Sequence, residues 1–203
     1  MRTTPAPSAL RQRRPLCLAS TSPRRRELLE RYGLRLTLFD PGVDERYLPG
    51  ETPETHVARL AHAKSAAARA SHPGHGVLAG DTVVVHQGAV LGKPRDEAHA
   101  AHMLTALSGK AHRVITAYAL LDADTGALRA RAVETRVTFR PLTAEWIQWY
   151  CAQEESRDKA GAYGIQGLGG AMVDRIEGSY TNVVGFPIEA VFWDLVELGW
   201  VSI

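Results

Sequence analysis

Apolar residues occur along the chain in two patterns. Short apolar or alternating runs predict β-strands, and these runs are residues 16–19, 34–39, 77–79, 82–86, 89–91, 112–121, 128–139 and 171–176. Apolar positions three or four residues apart predict helices, and these segments are residues 23–32, 52–70, 97–107, 187–198 and one that begins at residue 143. Because helices are interleaved with hairpins and with single strands, we expect an α/β fold with a mixed sheet.

Two details of this pattern concern charged residues. The strand over residues 77–86 is expected to be interrupted or bent at Gly80 and Asp81. The helix over residues 52–70 places several residues on one inward face, and these are Val57, Leu60, Ala61, Lys64 and Ala68. Lys64 is therefore expected near the interior of the protein.

The chain length of 203 residues fits one domain with a cleft better than two independent domains. We assign this domain to residues 15–203. Residues 1–14 are rich in arginine and lack a following apolar core, so we expect a disordered basic tail. A mitochondrial presequence is the less favoured alternative, because the tail is too short for the amphipathic segment of such a presequence.

Overall charge and cysteine content exclude several classes of protein. The chain has 24 Lys and Arg against 22 Asp and Glu, a formal net charge of +2, which gives no general attraction to nucleic acid or a membrane. No apolar stretch approaches the roughly 18 residues of a membrane span. Cys17 and Cys151 are isolated, which is typical of reduced, packed thiols. We therefore expect a cytoplasmic protein that binds neither nucleic acid nor membrane.

The first motif with candidate chemistry is STSPRR at residues 20–25, between the first predicted strand and the first predicted helix. Helix N-terminal N–H groups, adjacent hydroxyls and the guanidinium groups of Arg24 and Arg25 bind anions. On its own, the block is more typical of an ordinary serine or threonine cap followed by solvated arginines. This block alone therefore does not establish an anion site, and the inference needs the support of the other motifs.

A carboxylate stands inside an apolar segment at Asp81. Such a group is unfavourable unless a cation or hydrogen bonds compensate its charge, so we expect a partner for it. A metal ligand, a catalytic base and a turn-forming aspartate are all compatible with this position. Asp44 and Glu45 form a weaker second pair of carboxylates.

Several cations accompany these motifs, and they are Arg24, Arg25, Lys64, Lys93 and Lys159. Each alone is typical of a solvated side chain. Together they would neutralise a triphosphate and leave the carboxylates for a divalent metal cation, Mg²⁺ or Mn²⁺. The sequence contains no P-loop, no GxSxG and no GxGxxG spacing. We therefore expect a nucleotide-processing enzyme of another type.

Six ordered blocks together carry a family resemblance, and they are LASTSPRR (18–25), GDTVV (80–84), LGKP (91–94), LSG (107–109), DKAGAYGIQG (158–167) and IEGSYTNVVGFP (176–187). They resemble the Maf family of nucleoside triphosphate pyrophosphatases. The block at residues 158–167 resembles the subgroup that acts on dTTP and UTP. Phe186 and Ser65 depart from the usual leucine and alanine, and both changes concern packing.

The resemblance implies an inosine triphosphate pyrophosphatase-like (Maf/Ham1-type) fold: an elongated mixed β-sheet flanked by helices, with a central cleft, commonly in a homodimer. It implies hydrolysis of dTTP or UTP to the monophosphate and pyrophosphate, which clears unwanted nucleotides. Asp81 corresponds to the proton acceptor, and whether it is base, metal ligand or both stays open. The resemblance assigns substrate specificity to Arg24, Thr82 and Gln166, phosphate binding to Ser20, Arg25, Lys64 and Lys93, and metal binding to Glu45 and Asp81.

Two alternatives to this enzyme stay open. A nucleotide-binding regulator of cell division or septation would bind the triphosphate without turnover. A nucleotidyl or phosphoryl transferase would need an acceptor and would form little product with water alone. Only the pyrophosphatase predicts metal-dependent release of pyrophosphate in water.

Overall fold

A seven-stranded mixed sheet lies at the centre of the structure, a computed structural model that describes residues 10–203. The strands are β1 (Arg11–Gln12), β2 (Leu16–Ala19), β3 (Leu36–Phe39), β4 (Gly76–His86), β5 (Ala89–Leu91), β6 (Ala111–Asp122), β7 (Leu128–Phe139), β8 (Val173–Glu177) and β9 (Val201–Ser202). The sheet has the order β3-β2-β4-β6-β7-β8, and β5 pairs with β4. Strand β2 is parallel to β3 and β4, whereas the other neighbours are antiparallel.

The helices are α1 (Pro23–Arg31), α2 (Pro53–Arg69), α3 (Glu97–Leu107), α4 (Ala144–Cys151), α5 (Tyr180–Val184) and α6 (Ile188–Glu197). Thr52 begins α2 with a capping box, in which it exchanges hydrogen bonds with Thr55. The α/β fold with a mixed sheet is confirmed, and the predicted helices occur with small shifts at their ends. Helix α5 has no signal in the apolar pattern, because its 5 residues are too few for a helical repeat.

Helices cover both faces of the sheet. The predicted inward face of α2 is buried, and its residues are Val57, Leu60, Ala61, Lys64 and Ala68. Val77 and Ala79 of β4 pack on the same side as α2, whereas Leu78 points to the opposite side and packs in a cluster with α6. This alternation is the period-two pattern of a strand buried on both faces. It places the middle of β4 between two helical layers.

Strand β4 is continuous, so the expected interruption at Gly80 and Asp81 is wrong. Gly80 pairs with Tyr118 of β6, and Asp81 pairs with Ala117, without a break in register. The long neighbouring strand provides a partner for each residue. A Cβ on Gly80 would lie 2.9 Å from the ring of Phe186, so the glycine accommodates a side chain packed against the strand rather than a bend.

The tail expected to be disordered at residues 1–14 is ordered in its last part, and residues 1–9 lie outside the described residues. Strand β1 pairs with β9, and the Arg13 amide donates to the Trp200 carbonyl at 2.8 Å. Arg14 forms an ion pair of 2.6 Å with Asp122 and lies over the Trp200 ring. The C-terminal strand therefore supplies backbone partners that local sequence cannot reveal.

Both cysteines are buried and free, as their isolation in the sequence predicts. Burial raises the pKa of the Cys17 thiol to about 11. In the part of the chain that the structure describes, no helix has the length and hydrophobicity of a membrane span.

Candidate active site

A cavity of about 1130 Å³ opens between the start of α1, helix α2, the middle of β4 and the glycine-rich segment after α4. This volume is slightly above the usual range of about 300 to 1,000 Å³ for small-molecule sites. Every residue assigned a site role from the sequence lines it, and these residues are Ser20, Arg24, Arg25, Glu45, Lys64, Asp81, Thr82, Lys93 and Gln166. The folded chain therefore brings together motifs that are separated by more than half of its length.

Arg25 is a buried cation at the base of this cavity. The turn from β2 into α1 turns its side chain inward, where Nη1 donates to Ser20 Oγ at 3.2 Å and Nη2 donates to Thr82 Oγ1 at 3.1 Å. Its Nε donates to the Gly185 carbonyl at 2.9 Å. Among the described residues, no carboxylate lies within ion-pair distance of it. Burial lowers the pKa of Arg25, and the charge of Asp81 partly offsets this effect.

A buried guanidinium held only by neutral oxygens is an incomplete electrostatic arrangement. Burying a cation is unfavourable unless an anion compensates it. The remaining N–H groups of Arg25 suit an anion that enters the cavity from outside. A phosphate group meets this requirement, because arginine binds phosphate oxygens with two parallel hydrogen bonds.

Lys64 connects two carboxylates. Its Nζ lies 2.8 Å from Asp81 Oδ1 and 2.5 Å from Glu45 Oε1. The Lys64 and Asp81 side chains are 6% and 11% exposed, whereas the Glu45 side chain is 62% exposed. The expectation that Asp81 has a compensating partner is therefore confirmed, and the partner is Lys64 on the inward face of α2.

Glu45 lies in the irregular segment between β3 and α2. Burial alone would raise the pKa of Glu45, but the hydrogen bond and charge of Lys64, with the charges of Lys93 and Arg25, outweigh it and lower that pKa. Glu45 is therefore ionised near neutral pH. Lys93 is exposed at the rim of the cavity and contributes charge there without an ion pair among the described residues.

The residues assigned to specificity lie in different environments. The Thr82 hydroxyl is engaged by protein groups, because it accepts from Arg25 and lies 2.9 Å from Thr116 Oγ1. Arg24 is half-buried, and its Nη1 lies 3.7 Å from Asp158 Oδ2. Gln166 is exposed on the glycine-rich segment. In the range 10–203, no protein group forms a hydrogen bond with its carboxamide, which is therefore free for a ligand.

Two groups of residues, one that supports the cavity lining from behind and one that belongs to it, have no clear signal in the sequence. Thr116 donates to the Asn182 carbonyl at 3.1 Å, so it supports Thr82 and through it Arg25. Tyr47 stacks on His56 with ring centroids 3.5 Å apart and planes 5° apart, and both line the cavity. Burial and nearby carboxylates, including Asp81, raise the pKa of Tyr47 to about 12. A threonine inside an apolar strand is the only local hint at Thr116.

Fold and site together define an α/β protein with a cleft in which cations surround two convergent carboxylates. The chain belongs to the Maf family, since its residues 15–198 match the family described as Maf-like protein. The resemblance inferred from the six motif blocks is therefore confirmed.

Curated relatives cover most of the chain. It is 51% identical over 174 residues to the dTTP/UTP pyrophosphatase of Pectobacterium atrosepticum, covering 85% of this chain and 87% of that protein. It is 46% identical over 184 residues to the dTTP/UTP pyrophosphatase of Geobacter sulfurreducens, and this match covers 91% of this chain and 96% of that protein. Among solved structures, the Staphylococcus aureus Ham1 protein is 15% identical with a TM-score of 0.39, covering 61% of this chain and 71% of that chain. This last likeness is too distant to carry an argument.

Proposed function

We propose that this protein is a nucleoside triphosphate pyrophosphatase that hydrolyses dTTP and UTP to the monophosphate and pyrophosphate. The observation that carries the proposal is the buried Arg25, which is held by neutral oxygens in a cavity large enough for a nucleotide. The names of the relatives at 46% and 51% identity support the same substrate class.

The cations would act on the polyphosphate. Arg25 and Ser20 lie at the N-terminus of α1, where free N–H groups and the helix dipole also favour negative charge. Lys93 extends the positive charge to the rim. Charge that develops on the α-phosphate and on the leaving pyrophosphate is stabilised by fixed cations of this kind. On the substrate these groups would contact the phosphates and not the base, so they would serve every nucleotide alike.

Asp81 would act on the attacking water. Lys64 engages Oδ1, and among the described residues no protein group forms a hydrogen bond with Oδ2. That free oxygen suits a water molecule, whose proton Asp81 accepts as the water oxygen bonds to the α-phosphorus. The bond between the α-phosphorus and the bridging oxygen breaks, and pyrophosphate leaves with the electron pair.

Glu45 and Asp81 would hold a divalent metal cation. No cluster of three or more His, Cys, Asp or Glu suitable for a metal occurs within residues 10–203. Mg²⁺ commonly uses only one or two carboxylates together with waters and substrate phosphates, so the two carboxylates that converge on Lys64 fit it. When bound, such an ion neutralises phosphate charge and acts as a Lewis acid.

Gln166 would contact the edge of the base, with Arg24 and Thr82 contributing to selectivity. Uracil and thymine present an acceptor beside an N–H donor, and a carboxamide offers the complementary pair in one plane. Gln166 is exposed to the cavity with its polar atoms free of protein partners in the described range.

The test is a screen for pyrophosphate release over all common nucleoside triphosphates, with Mg²⁺ or Mn²⁺ and with chelator as control. We expect metal-dependent release of one pyrophosphate per monophosphate, fastest with UTP or dTTP. Binding without release would favour the non-catalytic regulator. Release only when an acceptor is added would favour a transferase.

A further inference from the structure

One carboxylate on the inside of the glycine-rich segment holds the backbone on the C-terminal side of Gln166. Glu155 Oε1 accepts from the Gly169 amide at 2.9 Å, and Oε2 accepts from the Leu168 amide at 3.1 Å. Backbone amides in loops of this kind otherwise depend on water or on a ligand for partners. Glu155 therefore fixes the C-terminal side of the loop from within the protein.

Tyr150 of α4 connects the same carboxylate to the other side of the loop. Its hydroxyl donates to Glu155 Oε1 at 2.8 Å and accepts from the Gly164 amide at 3.1 Å. The tyrosine ring is fully buried and stacks on Trp146, with centroids 5.3 Å apart. Burial raises the pKa of Tyr150, so the hydroxyl stays a neutral donor to the carboxylate. Hydrogen bonds to Glu155 and to the buried Tyr150 thus hold the loop on both sides of Gln166.

Several glycines of the loop lie close to Glu155 or Tyr150. A Cβ on Gly167 would lie 1.8 Å from Glu155 Oε2, and one on Gly164 would lie 3.0 Å from Oε1. A Cβ on Gly169 would lie 2.8 Å from the Tyr150 hydroxyl. A side chain at Gly167 would therefore displace the Glu155 carboxylate, and one at Gly169 would displace the Tyr150 hydroxyl or the Gly164 backbone, so these glycines permit the close approach of the groups that hold the loop.

We propose that Glu155, together with Tyr150, is a positioning residue for base selection, because it fixes the loop that presents Gln166. This inference rests on the proposed function, in which Gln166 contacts the base. Base choice by hydrogen bonds requires donor and acceptor atoms held within a few tenths of an ångström. Gln166 is itself exposed, so the position of its carboxamide depends on the backbone that carries it.

The test compares Glu155→Gln and Tyr150→Phe with a matched control, Glu154→Gln. Glu154 is the neighbouring exposed carboxylate and accepts no side-chain hydrogen bond from residues 10–203. For each protein, kcat and KM are measured for UTP and CTP with Mg²⁺. The affinity for inorganic tripolyphosphate, which has no base, is measured by calorimetry.

We expect Glu155→Gln to reduce the preference for UTP over CTP by about tenfold, mainly through a higher KM for UTP. The carboxamide of glutamine keeps one acceptor oxygen, but its NH₂ group cannot accept from the donor that it faces, which is either the Leu168 amide or the Gly169 amide together with the Tyr150 hydroxyl. Tyr150→Phe should produce a smaller loss in the same direction. The affinity for tripolyphosphate should change by less than about twofold in both variants, because among the described residues Arg25, Lys64 and Lys93 form no hydrogen bond or ion pair with Glu155 or Tyr150.

An unchanged UTP to CTP ratio in a folded Glu155→Gln protein would overturn the inference. An equal loss of tripolyphosphate affinity would also overturn it, because the residue would then support the cavity as a whole. If Glu155→Gln fails to fold, Tyr150→Phe decides by the same two measurements. A wild-type protein that shows no preference for UTP would instead refute the proposed function, and the inference would fall with it.

Discussion

At the scale of single residues, the cavity separates two kinds of cation. Arg25 and Lys64 are buried and have defined protein partners, whereas Lys93 is exposed. The buried cations therefore contribute to the structure of the site as well as to its charge. Asp81 depends on one of them, since Lys64 is its ion-pair partner.

Asp81→Asn tests the role of the strand carboxylate. The substitution keeps the shape of the side chain but removes its basicity and most of its metal affinity, so turnover of UTP should fall by about 10²-fold or more. Asp40→Asn is the matched control, because Asp40 is an exposed carboxylate that lines the same cavity. Turnover of Asp81→Asn close to that of Asp40→Asn would remove Asp81 from the mechanism.

Lys93→Ala and Lys64→Ala should both lower the rate with every nucleotide by a similar factor, because phosphates carry no base identity. Only Lys64→Ala should also change stability. It leaves the buried Asp81 carboxylate without its cation, which costs about 1 to 3 kcal/mol of the free energy of unfolding, whereas Lys93→Ala should stay within about 0.5 kcal/mol. Rates and urea unfolding of both variants provide the measurement. A lower rate with the nucleotides of only one base would contradict the assignment of Lys64 and Lys93 to phosphate binding.

At the scale of secondary structure, strand β6 carries a buried histidine beside the site-bearing strand β4. His112 Nε2 lies 2.8 Å from the Tyr163 hydroxyl, and its ring packs edge-on against Phe139. Burial, with a smaller effect of His86, lowers the pKa of His112 to about 4. The folded state thus favours the neutral ring.

This histidine should make stability depend on pH. Its pKa is lower in the folded chain than the usual 6.5, so its contribution is complete above pH 6.5 and is lost as the pH falls towards 4. Between pH 7 and 4.5 the free energy of unfolding should decrease by about 2 kcal/mol more in the wild type than in His112→Gln. Urea unfolding at several pH values gives both slopes. Equal slopes of the free energy of unfolding against pH in the two proteins would show that groups other than His112 cause the acid sensitivity.

Local elements were predictable from the sequence because their signals are local. Helical spacing placed Lys64 on the buried face of α2, and the charge of Asp81 in an apolar strand required a partner. The irregular segment that carries Glu45 has no periodicity, so its approach to Lys64 had no sequence signal. The same applies to Glu155, whose partners are loop amides rather than a repeating face.

At the scale of the whole molecule, contacts between distant segments complete the site. Arg25 depends on the Gly185 carbonyl near the other end of the chain, and β1 pairs with β9. Apolar patterns report which residues are buried but not which distant segment covers them, so these pairings could not be predicted. Family resemblance supplied the grouping of the motifs, and the homodimer that it implies stays a prediction.

In the proposed mechanism, water attacks the α-phosphorus of a pyrimidine triphosphate in this cavity. Hydrolysis of UTP in ¹⁸O-labelled water, followed by mass spectrometry of both products, tests it most directly. We expect one ¹⁸O atom in the UMP and none in the pyrophosphate. Label in the pyrophosphate, or UTP that stays intact with Mg²⁺ or Mn²⁺ present, would contradict it.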